Sequence, residues 1–473
     1  MLKPRFLFLF NIHLTIGIIQ LILYFAKPSI NFALTTNFIT VSFGFFSMYS
    51  LALHLHSSIF SLPHTWFLIS VSYLFCLVPI LHITNVDYTN ELFPGFDWET
   101  YLGNAILISG LFMNFLLIVS ISYLLRRFNG EIYFGITNIK INWGLFVFVL
   151  AYSIFGFATW LSKIGGLSAL FLTRSSFTQS GMQFQNGYLY ASLNFGFGAI
   201  LVLLIQGFYS KNRKVIAISC SLAIMFMLPD LIRGTRVNSL FAIVCCVCAL
   251  SLYKNSIGET GLFSRLKWIL IVLVIPLIII APRLYRVQRN ISLNSFSQAF
   301  DRKNLFDSFA GYDSAMDVGL SIFLNSKLDL GYGTSYLEAI LRPIPRAIWS
   351  GKPYELDVYL NQVIFPETAS HVGISFSGFS EPIYNFGLVG VILFAIIVGW
   401  LSSLVFLKYK NGEIRYLLLT VFLSAFSFNL LRGNLSSSYS QLVFPLIASF
   451  IVINRDFRFL NVGSSLHVSS KMK

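Results

Sequence analysis

Runs of about twenty apolar residues recur along most of the chain, with short polar segments between them. A helix needs about 20 mostly apolar residues to cross the hydrocarbon core of a bilayer, so each run predicts a membrane-spanning helix. The pattern yields twelve spans, at residues 6–26, 34–54, 65–84, 104–125, 144–162, 187–208, 215–232, 237–253, 267–281, 384–407, 415–431 and 439–454.

One connection is far longer than the others. Residues 282–383 separate the ninth and tenth predicted spans, and loops of that length are usually functional. Segments 296–324 and 332–349 carry apolar residues at near-helical spacing, which predicts amphipathic helices at the membrane surface or packed on the bundle. Three prolines are expected to interrupt the second helix: Pro343, Pro345 and Pro353.

Composition removes most other classes of protein. Hydrophobic residues make up 56% of the chain and charged residues 11%, against about 25% charged in a soluble domain. This excludes a soluble enzyme, a disordered chain and a fibrous protein. The prediction is an all-α polytopic membrane protein in three parts: nine spans over 1–281, a large structured outer loop over 282–383, and three spans with a short tail over 384–473.

The net charge of +14 would suit a nucleic-acid partner, but its distribution does not. Lys and Arg fall in short clusters between apolar runs, as in the cytoplasmic loops of membrane proteins. The alternation of these clusters places both chain termini in the cytoplasm. The predicted environment is therefore a lipid bilayer, with no nucleic acid.

Arginine dominates the basic residues on the predicted outer side, where the positive-inside rule disfavours cations. Its planar guanidinium binds phosphate through two N–H groups and stays charged when partly buried, so the pattern suggests a phosphate-bearing lipid. The candidate diphosphate-binding residues are Arg233 and Arg236 between spans seven and eight, Arg283, Arg286 and Arg289 after span nine, Arg342 and Arg346 within the loop, and the single residues Arg174 and Arg432.

A plainer interpretation of these arginines is that they anchor helix ends to lipid headgroups, and it applies most to Arg174 and Arg432. The loop is not net positive, because ten acidic residues lie after its first arginines. A local diphosphate clamp beside polar groups suited to sugar hydroxyls describes this distribution better than a general electrostatic funnel.

Two residues are candidates for acid–base catalysis. His371 is the only histidine of the loop, and imidazole titrates near neutral pH. Glu381 lies at the membrane edge before span ten, where partial burial would raise its pKa towards that of a working base. Each is equally well explained as a polar group satisfied by hydrogen bonds within the loop. Tyr332 and Tyr336 offer ring faces for sugars or interface anchors.

Searches for cofactor and metal motifs are empty. The chain has no Walker-type phosphate loop, no Gly-x-Ser-x-Gly elbow, no metal-ligand spacing and no Asp-x-Asp pair on the outer side. The prediction is that neither a cofactor nor a metal is used.

Two segments of the loop carry a family resemblance. Residues 331–353 read GYGTSYLEAILRPIPRAIWSGKP, and residues 373–387 read GISFSGFSEPIYNFG before a span. Both segments, with Arg233-Gly-Thr-Arg236 at a helix end, resemble the bacterial oligosaccharide repeat-unit polymerases, the Wzy-type O-antigen and capsule polymerases. The Arg-x10-Gly pattern of some members does not occur in this chain's outer loops, so residue roles mapped there do not transfer.

The resemblance implies a metal-independent glycosyltransferase of the bacterial inner membrane, with a fold similar to the GT-C class. Such enzymes take undecaprenyl-diphosphate-linked oligosaccharides and move the growing glycan onto a new lipid-linked unit at the outer face. A chain-length regulator is left open as a further partner. Two alternatives stay open: an O-antigen ligase or other lipid-linked glycan transferase, and a polysaccharide or lipid transporter or flippase.

Overall fold

The computed structural model describes residues 4–128, 139–163, 165–166, 187–232, 237–256, 306, 309–311, 315–342, 344, 348–349, 351, 354–366, 376–411 and 413–453. In these ranges the regular structure is helical, apart from one isolated bridge between Ile141 and Ile453. The predicted all-α class is confirmed for this part of the chain.

Each long apolar run within the described ranges forms a helix, because helical hydrogen bonding satisfies the backbone where water is absent. The helices of the described ranges are α1 (Pro4–Ala26), α2 (Ile30–His54), α3 (Pro63–Thr84), α4 (Val86–Leu92), α5 (Leu102–Arg127), α6 (Trp143–Lys163), α7 (Gly187–Tyr209), α8 (Arg213–Ile232), α9 (Val237–Ser256), α10 (Met316–Asn325), α11 (Thr334–Ile340), α12 (Leu356–Ile364), α13 (Ser380–Lys410), α14 (Ile414–Arg432) and α15 (Leu435–Val452).

Seven segments of the described ranges are long and apolar enough to cross a membrane: helices α1, α2, α3, α5, α6 and α13 and residues 192–209 of α7. They coincide with the first six predicted spans and the tenth. Helices α8, α9, α14 and α15 cover four further predicted spans, and 267–281 lies outside the described residues. The polytopic membrane class is confirmed, while the number of twelve spans stays a prediction.

Helix α5 lies at the centre of one group of helices. It packs against α1, α2, α13 and the loop helix α10, and 78% of its most apolar window is buried inside the protein. Helix α7 lies at the centre of a second group of helices, because it packs against α6, α8 and α15. Helices α13, α14 and α15 bring one end of the bundle, here called the loop-side end, next to residues of the long loop.

A buried polar network joins α1, α2 and α5. His13 Nδ1 lies 2.8 Å from Asn114 Oδ1, and Asn114 Nδ2 donates to Gln20 Oε1 at 2.8 Å. In α2, Asn37 Nδ2 donates to the carbonyl of Phe75 at 3.0 Å. Phe75 lies in a π-helical turn (Tyr73–Leu77) just before Pro79, which has no N–H to offer, and the side chain of Asn37 supplies a donor to this irregular part of the helix.

Asn114 is expected to stabilise this group of helices measurably. Asn114→Ala leaves His13 and Gln20 buried without their partner, and we expect the free energy of unfolding in mixed micelles to fall by about 1–3 kcal/mol. Thr159→Ala is the control, because its exposed hydroxyl bonds only to its own helix, at Phe155. Equal losses in the two variants would contradict a role for the network.

The long loop is fastened to the bundle by a buried pair. His82 Nδ1, at the end of α3, lies 2.9 Å from Asp317 Oδ2 in α10, and both side chains are 0% exposed. His82 Nε2 donates to the carbonyl of Ala310 at 2.8 Å. Ser321 Oγ, one turn further along α10, donates to the carbonyl of Trp98. Helix α10 is therefore a packed part of the fold.

The loop helices differ in part from the predicted ones. Helix α10 begins at Met316 and is packed on the bundle, the second of the two predicted placements, while most of 296–315 lies outside the described residues. Helix α11 ends at Ile340, ahead of Pro343 as expected. Helix α12 (Leu356–Ile364) is an addition that the sequence analysis did not predict.

Candidate functional site

The two loop segments that carry the family resemblance pack against each other at the loop-side end. The N–H of Gly331 donates to the carbonyl of Tyr384 at 2.7 Å, and the N–H of Gly333 donates to Asn385 Oδ1 at 2.9 Å. Gly333 has φ +91°, a left-handed conformation that glycine adopts without steric cost, and α11 begins directly after it. The glycines therefore set the approach of α11 to the first turn of α13.

Glu381 joins three helices at this contact. Its side chain is buried, with 3% of the residue exposed. Ser335 Oγ in α11 donates to Oε1 at 2.9 Å, and the N–H of Leu435, at the start of α15, donates to Oε2 at 2.7 Å. The first N–H groups of a helix have no partner inside it, so Glu381 completes α15. Both of its oxygens accept a hydrogen bond.

Residues 376–379 hold the start of α13 against the end of α14. The N–H of Gly378 donates to the carbonyl of Leu431 at 2.8 Å, and Ser377 Oγ donates to the same carbonyl at 3.2 Å. The last carbonyls of a helix lack partners inside it, so this segment satisfies α14. A side chain at position 378 would overlap the carbonyl of Leu430, which explains the glycine.

Arg342 is engaged by two carboxylates. Its guanidinium pairs with Glu338, at 3.2 Å from Oε1, and with Glu355 in the segment before α12. Glu338 is 3% exposed, and its Oε2 is buried without a hydrogen-bond partner in the described part of the chain. Phosphate binding by Arg342 would therefore require exchange with at least one of these acids.

Asp357, at the start of α12, completes the group of acids. Burial and the nearby Glu381 raise the pKa of Asp357 to about 7, opposed by hydrogen bonds from the backbone at Asn434 and Phe376 and by the positive charge of Arg432. Its Oδ1 is buried and accepts no hydrogen bond from the described residues, although the residue as a whole is partly exposed. We call Glu338, Glu355, Asp357 and Glu381 the acidic cluster.

Three of the predicted site residues lie within the described ranges. Glu381 is buried as expected, Arg342 lies in the acidic cluster, and Arg432 at the end of α14 lies close enough to influence Asp357. The structure thus brings together one predicted carboxylate and two predicted arginines. The remaining candidates lie outside the described residues: His371, Arg174, Arg233, Arg236, Arg283, Arg286, Arg289 and Arg346.

Sequence reasoning missed Glu338 and Asp357 as members of a site. The spacing of Glu338 and Arg342, four residues apart on a predicted helix, was a readable sign of an ion pair. Asp357 gave no comparable signal, because its neighbours Glu381 and Arg432 are distant in sequence. His82 was missed as well, since a lone histidine near a span end has no recognisable partner until α10 is placed.

The charges of the cluster decide what it can bind. Among the described residues, four carboxylates and the two arginines Arg342 and Arg432 meet within it, so this set of groups is net negative when ionised. Such a site repels a diphosphate and favours groups that donate hydrogen bonds, such as hydroxyls. Among the described residues, no three His, Cys, Asp or Glu side chains are placed to hold a metal ion together.

Comparisons with protein-family models, with curated proteins and with solved structures give no match to this chain.

Proposed function

We propose that this chain is a polysaccharide polymerase of the bacterial inner membrane. It transfers a growing glycan from undecaprenyl diphosphate to a lipid-linked oligosaccharide repeat unit at the outer face. The proposal includes a bundle of twelve spans similar to the GT-C class, with both termini in the cytoplasm. Neither a metal nor a cofactor takes part.

The observation that carries the proposal is the acidic cluster at the end of an apolar bundle. Glycosyl transfer to a hydroxyl requires a group that accepts the hydroxyl proton, and carboxylates at a membrane edge can do so on lipid-linked sugars. Two of its four carboxylates, Glu338 and Glu381, lie in 331–342 and 376–387, within the two segments that resemble repeat-unit polymerases, and Glu355 and Asp357 follow the first of these segments. The resemblance and the geometry thus coincide on part of the cluster.

The roles divide by charge. Arg233, Arg236, Arg283, Arg286 and Arg289 are proposed to hold the donor diphosphate and to stabilise its charge as the glycosidic bond breaks. The acidic cluster receives the acceptor hydroxyl, with Glu381 or His371 as the base suggested by the sequence. Arg342 and Arg346 position the loop, Arg174 is a secondary phosphate contact, and Arg432 offsets part of the negative charge of the acidic cluster.

An O-antigen ligase is the nearest alternative, because it uses the same donor and an acid–base site of similar chemistry. A transporter is a weaker candidate. Transporters place charged residues around a cavity at the membrane midplane. In the described spans, by contrast, the buried His13 and His64 bond to the neutral side chains Asn114, Ser47 and Ser403. The buried pair of His82 and Asp317 lies at the end of α3, where it joins the loop helix α10.

Deletion of the protein in its native bacterium separates these functions. We expect surface lipid capped with a single repeat unit, because export and ligation continue without polymerisation. The measurement is the length distribution of surface polysaccharide on gels, with the wild-type chain restored as control. Uncapped lipid with accumulated polymer would instead indicate a ligase, and repeat units retained on the cytoplasmic face would indicate a transporter.

A further inference from the structure

The acidic cluster contains two carboxylates with unused hydrogen-bonding capacity. Glu338 Oε2 and Asp357 Oδ1 are both buried and accept no hydrogen bond from the described residues. Glu338 is nine-tenths or more buried and lies close enough to Glu381 for their charges to interact. A buried carboxylate oxygen without a donor is costly, so the two atoms are suited to a ligand that supplies N–H or O–H groups.

Glu381 is poorly placed to receive a proton from substrate. Ser335 and the backbone of Leu435 already occupy its two oxygens, and only 3% of the residue is exposed. Asp357 differs on both points, because one of its oxygens is unoccupied and the residue is partly exposed. The unoccupied oxygen, Oδ1, is itself buried, so a substrate hydroxyl reaches it by entering the cluster, and of Glu381 and Asp357 only Asp357 is a partly exposed residue.

The charges and aromatic rings near Asp357 indicate which class of sugar the cluster would bind. Among the described residues, the charged groups that act on Asp357 are Glu381 in α13 and Arg432 at the end of α14. The carboxylate of a uronic acid would be repelled by the net negative cluster, so a sugar with this charge is disfavoured. The ring of Tyr336 stacks on Phe386 beside the cluster, with ring centroids 6.1 Å apart, and supplies an apolar face of the kind that sugar rings contact.

We propose that Asp357 and Glu338 form the acceptor-sugar subsite, that the sugar bound there is uncharged, and that Asp357 takes the proton of its attacking hydroxyl. The role of Asp357 as the base rests on the proposed function, whereas sugar binding at the subsite can be tested without it. Glu381 is then a positioning residue that fixes α11, α13 and α15 around the subsite.

The step balances without an added reactant. The acceptor O–H bond breaks and its proton passes to Asp357 Oδ1, while the oxygen lone pair forms the new bond to the anomeric carbon of the donor glycan. The bond from that carbon to the diphosphate oxygen breaks, and its electron pair leaves with the lipid diphosphate. Asp357 later returns the proton to water.

Asp357→Asn, placed in the deletion strain, tests the catalytic part. We expect loss of long polymer and lipid capped with a single unit. Glu413→Gln is the control, because Glu413 lies between α13 and α14, where it pairs with Lys408, and this variant should retain normal chains.

With a carboxyl pKa of about 7, the wild-type transfer rate in purified membranes should fall about tenfold from pH 8 to pH 6. Asp357→Glu should keep a pH dependence that Asp357→Asn lacks.

Stability distinguishes a catalytic loss from misfolding. The pKa of Asp357 is raised by folding, so the unfolded chain loses this proton near pH 4 while the folded chain keeps it to about pH 7. The group therefore destabilises the fold increasingly as pH rises through that window. Asp357→Asn should melt no lower than wild type at pH 8. Full-length polymer in Asp357→Asn, or a pH profile identical to wild type, would overturn its role as base.

Direct sugar binding is independent of polymerisation. Purified protein in detergent is mixed with neutral methyl glycosides of glucose, galactose, mannose and N-acetylglucosamine, and with methyl glucuronide, and binding is read by saturation-transfer NMR at pH 8. We expect transfer to at least one neutral glycoside, at several-fold the level for the glucuronide, and its loss in Asp357→Asn but not in Glu413→Gln. No transfer to any neutral glycoside, or preference for the glucuronide, would overturn the subsite even where deletion confirms a polymerase.

Discussion

Replacing His82 with leucine is expected to lower the free energy of unfolding by about 3–5 kcal/mol, because Asp317 then remains buried without its partner. Nε2 of His82 faces a carbonyl and must carry a hydrogen, while Nδ1 faces the carboxylate. The pair therefore holds one further proton, as an imidazolium beside a carboxylate or an imidazole beside a carboxylic acid. Leucine can form neither arrangement, so the substitution removes the hydrogen bond to Asp317 in both cases.

The measurement is chemical unfolding of purified protein in mixed micelles. The double variant His82→Leu with Asp317→Leu should recover much of the loss, because two apolar side chains replace a buried polar pair. Thr84→Ala is the matched control, because this exposed hydroxyl donates within α3 and accepts from the adjacent Asn85. If the double variant is as unstable as the sum of the single variants, the two residues do not act as a pair.

This pair also governs the site indirectly. Helix α10 packs on α5, and α5 packs on α13, whose first turn carries Glu381. Release of α10 would free the loop at one of its contacts with the bundle. We expect His82→Leu to reduce polymer length as well as stability.

The membrane helices could be predicted from the sequence because hydropathy alone decides them. The tenth predicted span illustrates the limit of that signal. It was expected to begin at residue 384, whereas α13 begins at Ser380 and carries an irregular turn at Phe386 and Gly387. The first turn of α13 is polar, because Glu381 and Asn385 contact other protein segments and not lipid. A hydropathy pattern identifies only helical residues that are apolar, so it does not detect this turn.

The site could be predicted only in part, because it depends on contacts between segments distant in sequence. Burial of Glu381 followed from its place at a span end, but the donors that occupy it come from Ser335 and Leu435. Arg342 was expected to hold phosphate, yet the structure pairs it with Glu338 and Glu355. Only the pair of Glu338 and Arg342, four residues apart, has a local sign in the sequence, and the partners Glu355, Ser335 and Leu435 have none. The abundance of arginine in the loop, by contrast, can be read from composition alone.

Removal of the Glu381 carboxylate should produce a loss as large as that for His82. Glu381→Ala leaves the Leu435 N–H and the Ser335 hydroxyl buried without an acceptor, and each such loss costs about 1–3 kcal/mol. We expect a fall of about 3–5 kcal/mol in the free energy of unfolding, with single-unit lipid in place of long polymer. The measurements are unfolding in mixed micelles and gel analysis of surface polysaccharide.

Glu381→Gln separates positioning from proton transfer, because the amide oxygen can still accept one hydrogen bond while its N–H2 group faces the other donor. A positioning role predicts that this variant keeps residual polymer, a lowered melting temperature and the wild-type pH profile, since the base is Asp357. Complete loss of polymer at wild-type stability, with the pH dependence abolished, would instead make Glu381 the base. The two carboxylates, Glu381 at the start of α13 and Asp357 at the start of α12, are thus distinguished by which substitution removes the pH dependence, and the occupied oxygens of Glu381 favour Asp357.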